Sequence, residues 1–182
     1  ILREGQQSLA WIAEFVRSEG IDCDFGQVGR FHAAHNAAQY EALAAKLTKQ
    51  PKGLEVRAHV VPRAEQRREL GSDGYWGGVV YEQHCSVHPA RYHQGLLERA
   101  LAAGMQVAPR CPASAIDKQG AQFRVTTARG VVLARDVVIA TNGYTGNLTP
   151  WLQRRVIPIG SYMIATDPLP EGLMDRLIPK NR

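Results

Sequence analysis

Between Arg135 and Gly146 the chain reads RDVVIATNGYTG. A charged pair, Arg135 and Asp136, gives way to four apolar residues, Val137, Val138, Ile139 and Ala140, with nothing polar among them. A strand with one face in water alternates; an unbroken β-branched run suits a strand buried on both faces, as in a parallel sheet covered by helices. The run closes on Thr141, Asn142 and Gly143. Small residues at the carboxyl end of such a strand leave room for a ligand to approach the backbone, which is where open α/β sheets bind their ligands. An ordinary core strand followed by an Asn-Gly turn fits the same twelve letters, so the surrounding sequence has to decide.

Taken in order, the chain alternates helical and strand patterns. Leu9, Ile12, Ala13 and Val16 form one helical stripe, Trp11 and Phe15 a second, and Gly20 is a suitable stop. Phe25–Ala34 reads as a strand broken at Gly26 and Gly29. Asn36 and Gln39 have the spacing of a capping box, ahead of a helical face of Tyr40, Leu43, Ala44 and Leu47 that Pro51 and Gly53 bring to an end. Leu54–Val61 is a short strand or turn, Ala64–Leu70 one or two charged helical turns, and Gly74–Tyr81 an aromatic, glycine-rich strand. Ser86–Gly104 is the clearest helix. Pro89 falls in its first turn, Leu96, Leu97, Ala100 and Leu101 form its apolar face, and Gly104 supplies the stop. Met105–Ala108 is then expected as a strand. Three short strands follow, Ala113–Asp117, Phe123–Ala128 and Val131–Leu133, with turns at Gln119-Gly120 and Arg129-Gly130. They form an antiparallel meander that leads back to Val137–Ala140. Met105–Ala108 and Val137–Ala140 are expected to run parallel in one central sheet. Arg155–Thr166 has a further strand pattern.

Composition excludes several classes. A hydrophobic content of 45% with 21% charged residues suits a globular chain that can build a core. The net charge of +5 comes from scattered basic residues, with no stripe for nucleic acid. Cys23, Cys85 and Cys111 are odd in number and unclustered, which argues against a metal site and for a reducing, cytoplasmic compartment. No stretch approaches the roughly twenty apolar residues of a membrane span, and no secretory signal opens the chain. The 182 residues begin at Ile1, inside an amphipathic pattern, and stop soon after a strand-like run. They read as a segment of a longer protein.

Val125–Gly143 (VTTARGVVLARDVVIATNG), Ile157–Leu169 (IPIGSYMIATDPL) and the GG…VHPARY helix entry at Gly77–Tyr92 together resemble the D-amino-acid-oxidase-like flavoproteins, of the γ-glutamylputrescine, glycine and sarcosine oxidase type. The resemblance covers most of the chain, and the order of its motifs carries more information than any one of them. It implies a mixed α/β fold: part of an FAD-binding parallel-sheet domain with an antiparallel meander, and part of an antiparallel-sheet substrate domain. Residues 1–85 would be a connecting helix and part of the substrate domain, 86–146 the second half of the FAD-binding domain, and 147–182 a return into the substrate domain. Ala140, Thr141, Asn142 and Gly143 would lie beside FAD. Ala113 would present its backbone to the adenine, at a position where the family often has valine. Tyr162 and Trp76 are substrate-side candidates, although core packing explains either as well, and no catalytic base can be picked out.

The implied activity is oxidation of an amine or amino acid by hydride transfer to the flavin, followed by hydrolysis of the imine and reoxidation of the flavin by oxygen or another acceptor. The family's G-x-G-x-x-G phosphate turn does not occur here; Gly26 and Gly29 come nearest, with no helix at the right offset. The chain alone is therefore expected neither to hold FAD tightly nor to turn over substrate. Two alternatives stay open: an interaction domain of flavoprotein-like shape, and a hydroxy-acid or glycerol-phosphate dehydrogenase on the same architecture.

Overall fold

A computed structural model describes residues 2–182, which fall into two compact units: residues 2–105 with 166–182, and residues 106–165. In the first unit, helix α1 (Leu2–Ser18) is amphipathic and buries Val16. With Ile21 and Cys23, Val16 forms a small core, on which Ile12 and Phe15 of the same helix and Tyr92 and Leu96 of a later helix pack. The helix ends as its glycine suggested. Gly20 takes φ +60°, and Ile21 N–H returns to Val16 O at 3.0 Å.

A three-stranded antiparallel sheet follows, built from β1 (Arg30–Ala33), β2 (Ala58–Val61) and β3 (Gly78–Tyr81) in the order β1-β3-β2. The central strand is the most apolar of the three, and Val79 and Val80 are fully buried. Helix α2 (Ala37–Thr48) starts on the expected capping box. Asn36 Oδ1 accepts from Gln39 N–H at 2.8 Å, and Gln39 Oε1 accepts from His35 N–H at 2.7 Å. A 3-10 helix spans Arg63–Arg68, where the charged turns were expected. Helix α3 (Pro89–Ala102) has proline in its first turn and stops at Gly104, φ +89°.

The second unit is the meander β4 (Ala113–Gln119), β5 (Gln122–Thr127) and β6 (Gly130–Ala134). Its register runs from Gln119↔Gln122 to Ala113↔Thr127 on one side and from Thr127↔Gly130 to Phe123↔Ala134 on the other. A four-residue helix α4 (Pro150–Gln153) follows. The chain then re-enters the first unit with helix α5 (Leu173–Leu177), which is docked there by Gly71 N–H to Leu177 O at 2.8 Å.

The architecture is a mixed α/β fold with antiparallel sheets. Three expected strands did not form. Met105–Ala108 and Val137–Ala140 are irregular, and so is Arg155–Thr166 apart from the turn that follows α4. A strand of a parallel sheet is held by ladders to neighbours and by cover on both faces, and neither of the first two runs has a neighbouring strand among the described residues. Val107 is half exposed and Val138 is 87% exposed. Their apolar letters specify burial against something, not a strand by themselves. The first strand is also shorter than Phe25–Ala34, because Gly26 makes only an isolated bridge to Ser86 and Gly29 takes φ +81°. On α3 the buried side rolls toward Gly95 and Leu96, and Leu101 stays half exposed.

Candidate functional site

Thr141–Thr145 folds on itself into a closed turn. Asn142–Tyr144 is a single 3-10 turn, with Tyr144 N–H donating to Thr141 O at 3.0 Å. Thr145 Oγ1 lies 2.7 Å from Thr141 Oγ1 and also 2.7 Å from the Asn142 carbonyl. In this Asn-Gly pair the left-handed residue is Asn142, at φ +48°, and Gly143 does not take a positive φ. Asparagine tolerates that region because its short polar side chain serves the local backbone. A Cβ added to Gly143 would meet only Pro158, at 3.8 Å. The chain's own packing therefore does not require glycine there. Ala140, Thr141, Asn142, Gly143 and Tyr144 are all exposed. Ala140, Thr141 and Gly143 thus leave small groups and peptide edges on an open surface, with the Tyr144 ring, 94% exposed, beside them. The turn offers no cradle for a pyrophosphate.

Ala113 opens β4, half buried, opposite Thr127 and next to a register shift between Ala113 and Ala115. The register places it at the β5–β6 turn, whereas β6 leaves the meander at Ala134, beside the β4–β5 turn. The seven steps from Ala134 to Thr141 reach at most ~25 Å when extended, slightly more than the ~20 Å length of the meander itself. Tyr162, 95% exposed, stands in the irregular segment after α4.

Trp76 belongs to the other unit. It precedes β3, and its backbone N–H donates to Ala34 O at 2.8 Å. Its indole carries the Arg63 guanidinium 4.2 Å from the ring centroid, a cation–π contact. His35 and the adjacent Tyr75 form a tilted ring pair at 5.6 Å. Sequence reasoning did not single out Arg63. Nothing in the spacing of residues 63 and 76 announces a contact that depends on the two ends of β2 and β3 meeting.

A groove of about 490 Å³ runs in the same unit, between the Leu9 and Ala13 side of α1 and the segments holding Val56 and His84. Burial, with the positive Arg30 as a smaller cause, holds the His84 imidazole below its ordinary value, and burial pushes the Cys85 thiol up. Among the described residues no cluster of His, Cys, Asp or Glu has the make-up of a metal site. None of their helices is long and apolar enough to cross a membrane.

The chain folds as an antiparallel sheet with a helix packed on it and a β-meander followed by an exposed turn. It belongs to the family described as DAO, FAD dependent oxidoreductase, whose pattern matches residues 1–181. Among its relatives, the γ-glutamylputrescine oxidoreductase of Escherichia coli K12 is 30% identical over 171 residues, covering 93% of this chain and 40% of that protein. A probable oxidoreductase of Haemophilus influenzae, OrdL, is 30% identical over 120 residues, covering 64% and 28%. Among solved structures, glycine oxidase from Geobacillus kaustophilus superposes with a TM-score of 0.70 at 18% identity, over 79% of this chain and 40% of that one. L-proline dehydrogenase from P. horikoshii superposes with a TM-score of 0.63 at 13% identity, over 76% and 37%. The chain spans two fifths or less of the length of these relatives.

Proposed function

We propose that the protein carrying this chain is an FAD-dependent oxidoreductase acting on an amine or amino acid, and that Ala140–Gly143 is one of its contacts with the cofactor. The observation that carries the reading is the turn at Thr141–Thr145. Its two threonine hydroxyls close on the turn itself, Ala140, Thr141 and Gly143 leave small groups at its surface beside the exposed Tyr144 ring, and its glycine is not explained by packing among the described residues. The backbone near Ala113 is a second, smaller contact, toward the adenine. Tyr162 and Trp76 are assigned to the substrate side. Residues 86–146 then belong to the cofactor domain, and residues 1–85 and 147–182 mainly to the substrate domain. The chemistry that bound flavin supplies is acceptance of a hydride equivalent from the carbon bearing the amine. This chain's own residues position the cofactor and exclude water from its flank. The three free thiols suit a reducing, cytoplasmic setting.

The amine preference is supported by the kind of relatives found, one bearing the name γ-glutamylputrescine oxidoreductase and another glycine oxidase. The test is to express the complete reading frame that carries this chain and to follow its visible flavin band without oxygen. Addition of diamines, N-acylated diamines and small amino acids in turn should bleach the band with at least one of them. Bleaching by a hydroxy acid or by glycerol phosphate, and by no amine, would overturn the reading.

A further inference from the structure

We propose that the groove beside α1 is a binding site for a neutral small molecule with an aliphatic body and a carboxamide head. The site lies wholly within the first unit and stands apart from the cofactor reading above.

The groove measures about 490 Å³, a size typical of small-molecule sites. Its walls are largely apolar, with Leu9, Ala10 and Ala13 of α1 on one side and Leu54 and Val56 on the other. The second wall is built without a strand ladder. Leu54–Arg57 is irregular, and three glutamine amides hold it in place. Gln6 Nε2 donates to Leu54 O at 3.1 Å, across from α1. Gln50 grips Val56 at both ends, its Oε1 accepting from the N–H at 2.7 Å and its Nε2 donating to the carbonyl at 3.2 Å. Gln83, in the turn after β3, accepts from Arg57 N–H at 3.2 Å through Oε1.

Gln50 thus uses both ends of its amide on the wall. Gln6 and Gln83, which line the groove, use one end each. Among the described residues Gln6 Oε1 has no donor and Gln83 Nε2 has no acceptor. A spare acceptor and a spare donor beside apolar walls match the N–H and the C=O of one carboxamide, and a hydrocarbon chain fills the remaining space. Charge decides against an ion. No described lining residue is an acid, a lysine or an arginine, and burial, with Arg30 as a smaller cause, keeps the His84 ring uncharged at neutral pH. An ion entering the groove would give up hydration and meet no counter-charge.

The experiment uses the complete protein that carries this chain. It follows alkylation of Cys85, a free thiol in the groove lining, by N-ethylmaleimide, resolved from Cys23 and Cys111 by peptide mass. The probes are hexanamide and its charged counterparts hexanoate and hexylamine. Hexanamide should slow the labelling of Cys85 saturably, and the two ions should not. Gln83→Glu keeps the oxygen that Arg57 N–H uses and removes the spare donor. The concentration of hexanamide that gives half protection should then rise about tenfold, the loss of one hydrogen bond. Absence of protection by hexanamide, equal protection by all three probes, or an unchanged half-protecting concentration in Gln83→Glu would each overturn the proposal. A Cys85 that resists N-ethylmaleimide in the folded protein and reacts in denaturant would overturn it too, because the protein's own chain would then fill the groove.

Discussion

Gly78 and Gly143 are both glycines in short irregular-to-regular transitions, and their surroundings are opposite. A Cβ on Gly78 would run into the His32 carbonyl and would sit 2.8 Å from Phe31 Cε2, inside the tightest part of the first sheet. Gly78→Ala must therefore shift β1 away from β3, and overpacking of this kind costs roughly 1–3 kcal/mol. A melting temperature that stays at the wild-type value would show β1 to be looser than its contacts indicate. Gly143 has no such neighbour. From the sequence the two look alike, because a glycine letter records neither how close the next strand lies nor which residue of an Asn-Gly pair takes the positive φ. At this scale the caps were legible, since their physics is local. Asn36 and Pro89 act within their own first turns. Arg63 over Trp76 was not legible, because it depends on Gly77 closing against a segment more than ten residues earlier in the chain.

Elements whose periodicity is satisfied within themselves were read with their ends nearly in place. α1, α2, α3 and the three meander strands are such elements, because helices and hairpins make their hydrogen bonds to near neighbours in the chain. Met105–Ala108 and Val137–Ala140 failed as strands for the complementary reason: a parallel strand exists only through partners that the run itself does not name. The docking of α5 was equally hidden. Arg182 clamps Glu69, 113 positions away, with Nε at 2.7 Å and Nη2 at 2.8 Å, and its third nitrogen reaches Val28 O, 154 positions away, at 3.3 Å. Both side chains are largely withdrawn from water, at 16% and 8% exposure. Removing one partner leaves the other charge buried, so Glu69→Ala should destabilise the chain by about 3 kcal/mol. Denaturant unfolding measures this directly, and a loss below 1 kcal/mol would class the clamp with ordinary surface pairs.

At the scale of the whole molecule, the order of elements carried the family, and the family carried the cofactor. Helix, sheet, helix, meander and small-residue turn recur in that sequence although individual strands were misplaced, which is why the resemblance survived the errors in detail. The sequence could not show how much of the turn at Thr141–Thr145 serves the chain and how much serves a ligand. The geometry narrows that question to Gly143. The direct measurement is FAD affinity together with thermal unfolding for Gly143→Val, made in the complete protein that carries this chain. With Pro158 as the only neighbour within 4 Å, the melting temperature of the flavin-free protein should stay unchanged. A branched side chain in the path of the cofactor should cost on the order of 1–3 kcal/mol, a factor of ~5–150 in affinity. A variant that melts earlier, but whose folded fraction binds FAD as the wild type does, would contradict the account and leave Gly143 a structural residue.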